Sequence, residues 1–259
     1  MTSIEPQDLY SVRLFWAETD SIIVAISYFL GSIPFGLLIA KSRGIDIRQH
    51  GSGNIGATNV MRVLGKGPGY TVFALDALKA LVSVIIGKYI ADHHTLATSQ
   101  IHGVNLDGGH AIYHDIFFHR LPESVGAVSA AIACIVGHNF PVWLRFKGGK
   151  GMAASAGAVI GTMPIAAMIC IALWGAVLLA TGYVSLASLV AAVALPASTL
   201  FLIFAGVVHG WPYFYFAVAA GILAIWRHRS NIVRLMNGTE NRFTRKPKTE
   251  PPAEPPPSP

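Results

Sequence analysis

Charge is what this sequence has least of. Only 12% of its 259 residues are Asp, Glu, Lys or Arg, about half the share of a soluble domain, while 53% are hydrophobic and mean hydropathy is +0.53. That balance places the chain in the membrane class before any motif is read. Cysteine is nearly absent. Cys134 and Cys170 each lie inside an apolar run, without disulfide framework or metal-ligand spacing, and read as small core residues. Also missing are HExxH, a defensible Ser-His-Asp order and a carboxylate pair suited to glycoside chemistry. The net charge of +6 comes from basic residues in a few short stretches rather than along one face. Anionic ligands and cytoplasmic loops fit that pattern, and nucleic acid is not an expected partner. Residues 1–20 have no basic region ahead of an apolar core, so the first membrane segment is expected to act as its own insertion signal.

Long apolar runs are what is present. The first, 21–40, is broken by Gly31 and Pro34, which predicts a kink. The second, 70–90, carries Asp76 and Lys79 three apart on one helical face, where charges inside a span mark function; both are assigned a supporting role at the site. Further runs cover 124–144, 152–180 with an interruption at Gly161-Thr162-Met163-Pro164, 183–208 and 213–226. Basic residues flank three of these ends: Lys41, Arg43, Arg48 and Arg62; Arg145, Lys147 and Lys150; Arg227, Arg229 and Arg234. The positive-inside rule makes all three cytoplasmic and the N-terminus external. Returning from Lys150 to Arg227 on one side needs an even number of crossings. Dividing 152–180 at 161–164 gives four, at the cost of a first half of about 10 residues, too short for a full bilayer without thinning or shielding. The expected fold is therefore an all-α integral membrane protein with seven transmembrane helices, one short, the N-terminus outside and the C-terminus cytoplasmic. Its expected organisation is an extracytoplasmic tail (1–20), a membrane domain (21–243) and a disordered Pro-rich tail (244–259). The segment 92–123 holds six of the ten histidines, and His110 and His114 have an i, i+4 spacing; nothing completes a ligand set, so it reads as an outer loop and no metal or cofactor is expected.

Four polar stretches interrupt this pattern. Residues 51–62, GSGNIGATNVMR, combine glycines with small hydroxyls and amides and end on Arg62, a composition suited to holding phosphate. They fit G-x-G-x-x-G, but follow basic residues rather than a strand. Residues 138–151, HNFPVWLRFKGGKG, hold Gly149, Lys150 and Gly151; Gly151 stands where a Walker A loop needs Ser or Thr. TGYVSLAS, at 181–188, brings Ser185 and Ser188. In RHRSNIVRLMNGTE, at 227–240, His228 and Asn231 share a helical face. The seven-segment count puts all four on one membrane face. There they offer phosphate grips, hydroxyls and a titratable imidazole. A transporter of a phosphorylated molecule would use similar parts, but no internal repeat is visible and the polar loops gather at one face instead of the midplane.

In this order and at these separations, the four stretches resemble the bacterial acyl-phosphate:glycerol-3-phosphate acyltransferases of the PlsY type, over roughly residues 21–243. The resemblance implies a seven-helix inner-membrane enzyme. It would pass a fatty acyl group from acyl phosphate to the 1-hydroxyl of glycerol 3-phosphate, giving lysophosphatidic acid and phosphate. It implies that Ser52, Arg62 and Lys150, with Gly149 and Gly151 beside it, hold substrate phosphates, supported by Asn54 and Thr58. Ser188, His228 and Asn231 would orient the attacking hydroxyl and the reacting carbonyl. Direct acyl transfer is implied, with a Ser188 acyl-enzyme using His228 as base the alternative. The chain departs from the family pattern at Ala154, where a threonine is usual, at Gly182, where an arginine is common, and at Ala80, where a glycine is usual.

Overall fold

The structure, a computed structural model, describes residues 20–101 and 121–243. The tails 1–19 and 244–259, and the segment 102–120 with His102, His110, His114 and His119, lie outside the described residues. Every regular element among the described residues is helical.

Helix α1 (20–32) and helix α2 (Phe35–Lys41) form one apolar span, Asp20–Lys41, broken at Ile33-Pro34. Proline lacks the N–H that would continue the ladder, which is the expected kink. A 3-10 turn (Ile47–Gln49) and the first glycine loop lead into α3 (Ala57–Leu64). α4 (Lys66–Ile101) then runs 36 residues, longer at both ends than the apolar run alone predicts. Its Pro68 falls in the first turn, where a missing N–H has no consequence. α4 packs along both α5 (Leu121–Asn139) and α6 (Met152–Thr162).

α6, read MAASAGAVIGT, buries Ala153, Ala154, Gly157 and Ala158. A Cβ at Gly157 would lie 1.9 Å from the Ala77 carbonyl oxygen, so α4 and α6 touch backbone to backbone. Small residues make such contacts possible between helices in lipid, where dispersion replaces the hydrophobic effect. The interruption read at 161–164 is real: α6 ends at Thr162 and α7 (Pro164–Thr181) begins at Pro164. α7 packs on α8 (Val184–Phe204), and α8 on α9 (Trp211–Arg227). α7 is the most exposed span, with 11% of its window buried and Met168, Ile171 and Leu179 pointing outward, as a lipid-facing helix should. α10 (Arg229–Met236) follows directly after His228.

Among the described residues, five helical spans are long and apolar enough to cross a membrane: Asp20–Lys41, Lys66–His93, Ser124–Leu144, Pro164–Thr181 and Val184–Phe204. α6 and α9, with 11 and 17 residues, are the shorter elements of the expected seven. The main core is alanine-rich, joining Ala80 and Val84, Ala127 and Cys134, Ala154 and Ala158, and Phe216 and Ala217 from α4, α5, α6 and α9. A second cluster, including Leu37, Ile47, Ile55, Val60 and Val72, anchors the first glycine loop.

Candidate active site

The first glycine loop is organised by a residue the motif reading passed over. Asn59 on α3 is buried and reaches back into the loop. Its Oδ1 accepts from Ser52 N–H at 2.9 Å, and its Nδ2 donates to the carbonyls of Asn54 (2.8 Å) and His50 (3.0 Å). Asn54 Oδ1 accepts from Gly56 N–H at 2.8 Å, and Gly53 N–H donates to His50 O at 3.0 Å. The N–H groups of Ser52, Gly53 and Gly56 are therefore satisfied inside the loop, and Asn54 is a turn-former. A backbone cradle for phosphate, as the glycine pattern suggested, is not built from these three groups. What this stretch presents is the side chains of exposed Ser52 and Arg62, with Thr58 half-buried between them.

The second glycine loop differs from expectation in the same way. Gly148 N–H donates to Asn139 O and Gly149 N–H to His138 O, each at 3.1 Å, so the loop caps the end of α5. The carbonyls of Gly148 and Gly149 in turn accept from the Arg227 guanidinium, the first at 2.9 Å. An ideal Cβ at Gly149 would sit 2.1 Å from His138 Nε2, and one at Gly151 2.6 Å from Asn139 Oδ1. Gly151 is also left-handed, with φ +80°. These glycines are demanded by the loop's own packing on α5. The side chain the loop offers a ligand is the Lys150 ammonium.

Lys150 Nζ donates to Asn231 Oδ1, which unites the second and fourth stretches. Asn231 Nδ2 donates to Glu240 Oε1 at 2.7 Å, and Arg234 Nε to Glu240 Oε2 at 2.7 Å. Burial would raise the Glu240 carboxyl, but the hydrogen bonds from Asn231 and Arg234 hold it below the usual carboxylate range. Lys150 is lowered to about 8, first by burial and then by the positive charges of Arg234, Arg227 and Arg62, which Glu240 only partly offsets. Lys150 thus feels three arginine charges and one carboxylate, a positive focus suited to an anion with more than one negative charge. Arg62 exerts the smallest of these effects on Lys150, which brings the first stretch within electrostatic reach of the second.

His228 is buried one turn before Asn231. Its Nδ1 is 2.8 Å from Ala224 O. A carbonyl only accepts, so Nδ1 carries the proton and Nε2 is bare. Burial lowers this imidazole to about 4, leaving it neutral near pH 7 with an acceptor at Nε2.

Ser188 is brought less directly into this group. It is buried on α8, where its Oγ donates to Val184 O at 2.8 Å and accepts from Trp174 Nε1 at 3.3 Å. Asp76 and Lys79 lie beneath the loops as a buried ion pair, 2.8 Å apart, with His138 against them. At Gly182 the stretch after α10 closes in: Phe243 N–H donates to Gly182 O at 2.6 Å, and Arg242 Nε donates to Tyr183 Oη at 2.9 Å. An arginine therefore stands beside Gly182, carried by a distant part of the chain. Ala154 is fully buried in the core, away from any ligand surface.

Sequence reasoning singled out neither Asn59, His138 nor Glu240, and read Arg227 only as a flanking charge. Asn59 and Glu240 stood inside quoted motifs, and His138 opened one. Their hydrogen-bond partners lie 5 to 79 positions away, which spacing does not reveal.

Residues 21–238 match the family model described as glycerol-3-phosphate acyltransferase. A glycerol-3-phosphate acyltransferase of Halalkalibacterium halodurans is 38% identical over 240 residues, 90% of this chain and 99% of that protein. One from Desulforamulus reducens is 37% identical, over 88% of this chain and 97% of its own length. Two crystal structures of PlsY, an integral membrane glycerol 3-phosphate acyltransferase, are 36% identical to it. The glycerol 3-phosphate form aligns with a TM-score of 0.67 over 87% of this chain and 96% of that one; the lysophosphatidic acid form gives 0.65.

Proposed function

The chain belongs to the glycerol-3-phosphate acyltransferase family, and from that premise we propose how its site works: a fatty acyl group passes from acyl phosphate directly to the 1-hydroxyl of glycerol 3-phosphate. It is an all-helical, multi-pass integral membrane acyltransferase of phospholipid synthesis, and its product is lysophosphatidic acid. The observation that carries the mechanistic reading is the junction of Lys150, Asn231 and Glu240 beside a neutral His228.

In this reading the glycerol oxygen attacks the acyl carbonyl carbon, the new ester C–O bond forms, and the acyl C–O bond to phosphate breaks. The hydroxyl proton leaves with inorganic phosphate. His228 Nε2 accepts a hydrogen bond from the attacking hydroxyl and aligns it. With a conjugate acid near 4 it is a weak base, which suffices because phosphate is a good leaving group. Arg62 and Lys150 hold the two substrates' phosphates, with Ser52 adding a hydroxyl, while Asn231 orients Lys150. Positioning and charge stabilisation supply most of the rate. Ser188, whose hydroxyl is engaged by Val184 and Trp174, shapes the wall of the site without becoming acylated.

The same reading keeps seven crossings, with α6 and α9 added to the five long spans. The tail 1–20 is outside, the membrane domain covers 21–243, and the site and the tail 244–259 face the cytoplasm. α6 rises only about 16 Å at 1.5 Å per residue, so α4 and α5 must shield its ends. The contacts of α6 with both helices support this. The test is phosphate release from palmitoyl phosphate by protein in nanodiscs. Release should require glycerol 3-phosphate, and acyl-CoA should not replace the acyl phosphate. Release independent of glycerol 3-phosphate would sink the reading.

A further inference from the structure

Beneath the Lys150 loop, three buried ionisable side chains meet at one point. The Lys79 ammonium lies 2.8 Å from Asp76 Oδ1, 2.8 Å from the Ile33 carbonyl oxygen and 3.1 Å from His138 Nδ1. Ile33 O and His138 Nδ1 are its hydrogen-bond partners, and Asp76 is its counter-charge. The Ile33 carbonyl lies at the break before Pro34, where it also accepts from Phe35 N–H at 3.1 Å. An ammonium donates and cannot accept, so the His138 nitrogen facing it must be bare. A neutral imidazole then carries its proton on Nε2. A doubly protonated ring would set two cations 3.1 Å apart inside the bundle. The contact from His138 Nδ1 to Asp76 Oδ1 is longer, 3.4 Å, and would need the opposite proton placement.

The Nε2 edge faces the loop. It lies 2.1 Å from where a Cβ of Gly149 would be, and the His138 carbonyl accepts from Gly149 N–H. The residue next along the loop is Lys150. We infer that His138 is a positioning residue for the acyl transfer: Lys79, held by Asp76, fixes its ring in the Nε2–H form, and that ring sets where the Gly149 backbone, and hence the Lys150 ammonium, stands. The buried ion pair thus acts on the phosphate site through one imidazole, without touching substrate. This inference rests on the proposed role of Lys150 in holding phosphate.

Two substitutions separate the two sides of the ring. His138→Asn leaves an acceptor near the Nδ1 position, facing Lys79, but does not reach Gly149. His138→Gln places an amide N–H near the Nε2 position and gives up the acceptor for Lys79. In nanodiscs, His138→Asn should keep a melting temperature close to that of the parent. It should raise KM for glycerol 3-phosphate on the order of tenfold to hundredfold, the scale of ångström misplacement, with kcat little changed. His138→Gln should lower the melting temperature more and raise KM less. Wild-type KM in both variants would reduce His138 to packing and overturn the inference. Nitrogen-15 spectra of histidine-labelled protein, with His138→Gln supplying the assignment, should show a neutral Nε2–H ring. The paired substitution Asp76→Asn with Lys79→Gln, which keeps a donor toward Nδ1 without buried charge, should preserve that tautomer. An Nδ1–H or doubly protonated ring in the parent protein would also refute the inference. The spectra need no substrate, so failure of the reaction itself would appear separately, as absence of glycerol 3-phosphate-dependent phosphate release by the parent.

Discussion

Raising the pH from 7 to 9 should weaken the productive encounter with glycerol 3-phosphate by about an order of magnitude while leaving turnover of the bound complex nearly constant. Lys150 is the reason. Burial and the charges of Arg234, Arg227 and Arg62 lower it to about 8. From that value the free enzyme holds the ammonium in about nine molecules of ten at pH 7 and about one in ten at pH 9. A group lowered in this way is charged below its pKa and loses charge as pH rises through it, so anion binding falls on the alkaline side. The phosphate of glycerol 3-phosphate is already dianionic above pH 7, so its own titration adds no limb in this range. Once bound, the phosphate restores the ammonium. The limb should therefore appear in kcat/KM and not in kcat. The assay is initial phosphate release in nanodiscs from pH 6.5 to 9.5, with spontaneous hydrolysis subtracted. Two variants tie the limb to its source. Lys150→Arg stays charged throughout and should abolish the limb at reduced activity, because a planar fork does not fill the place of a point charge. Glu240→Gln removes the one neighbour that raises Lys150, and should move the limb to lower pH. A flat kcat/KM from pH 7 to 9, or an unchanged limb in Lys150→Arg, would refute this account.

His228→Ala should lower kcat by about a hundredfold or more, the low end of general acid–base effects. The parent should show no limb from this residue between pH 5 and 7, since burial lowers it to about 4 and it gains charge only below that value. Incubation with acyl phosphate alone, followed by mass spectrometry, should find no acyl group on Ser188, whose hydroxyl is engaged by Val184 O and Trp174 Nε1. Gly149→Ala should destabilise by about 1–3 kcal/mol through overpacking against His138 and raise KM as well, read by thermal melting and initial rates. Asp76→Asn alone should cost about 3–5 kcal/mol, because it leaves the Lys79 ammonium buried without its counter-charge; denaturation in mild detergent measures it.

The division of labour between sequence and structure follows range. Apolar runs of fixed length, Pro34 and the Gly161–Pro164 interruption are local signals, and each became a helix, a kink or a helix boundary at nearly the expected place. The pairing of Asp76 with Lys79 was legible for the same reason, being a matter of three positions on one helix. The glycine loops were legible as loops, but not in what their glycines do. Gly149 and Gly151 read as openings for phosphate because a sequence cannot show what lies across from a missing Cβ. What lies there is His138 and Asn139, from the end of the preceding helix. The N–H groups of Gly148 and Gly149 are taken by the carbonyls of those same two residues.

That exchange changes the character of the site. An anion cradle of backbone amides would be set by local turn geometry alone, and would tolerate change elsewhere. Here recognition passes to side chains, Arg62 and Lys150, whose positions are held at a distance. Arg227 clamps the carbonyls of Gly148 and Gly149, Asn231 and Glu240 orient the Lys150 ammonium, and His138 backs Gly149. Each partner comes from a different helix end. α5 and α9 pack against each other and α10 packs on α8, so the close helix contacts that alanine and glycine allow become a functional requirement. A substitution that pushes α6 off α4 at Gly157 lies one short helix from Lys150 and touches no ligand. It should nevertheless lower affinity for both phosphates together, because it displaces the start of α6, on which the Lys150 loop ends.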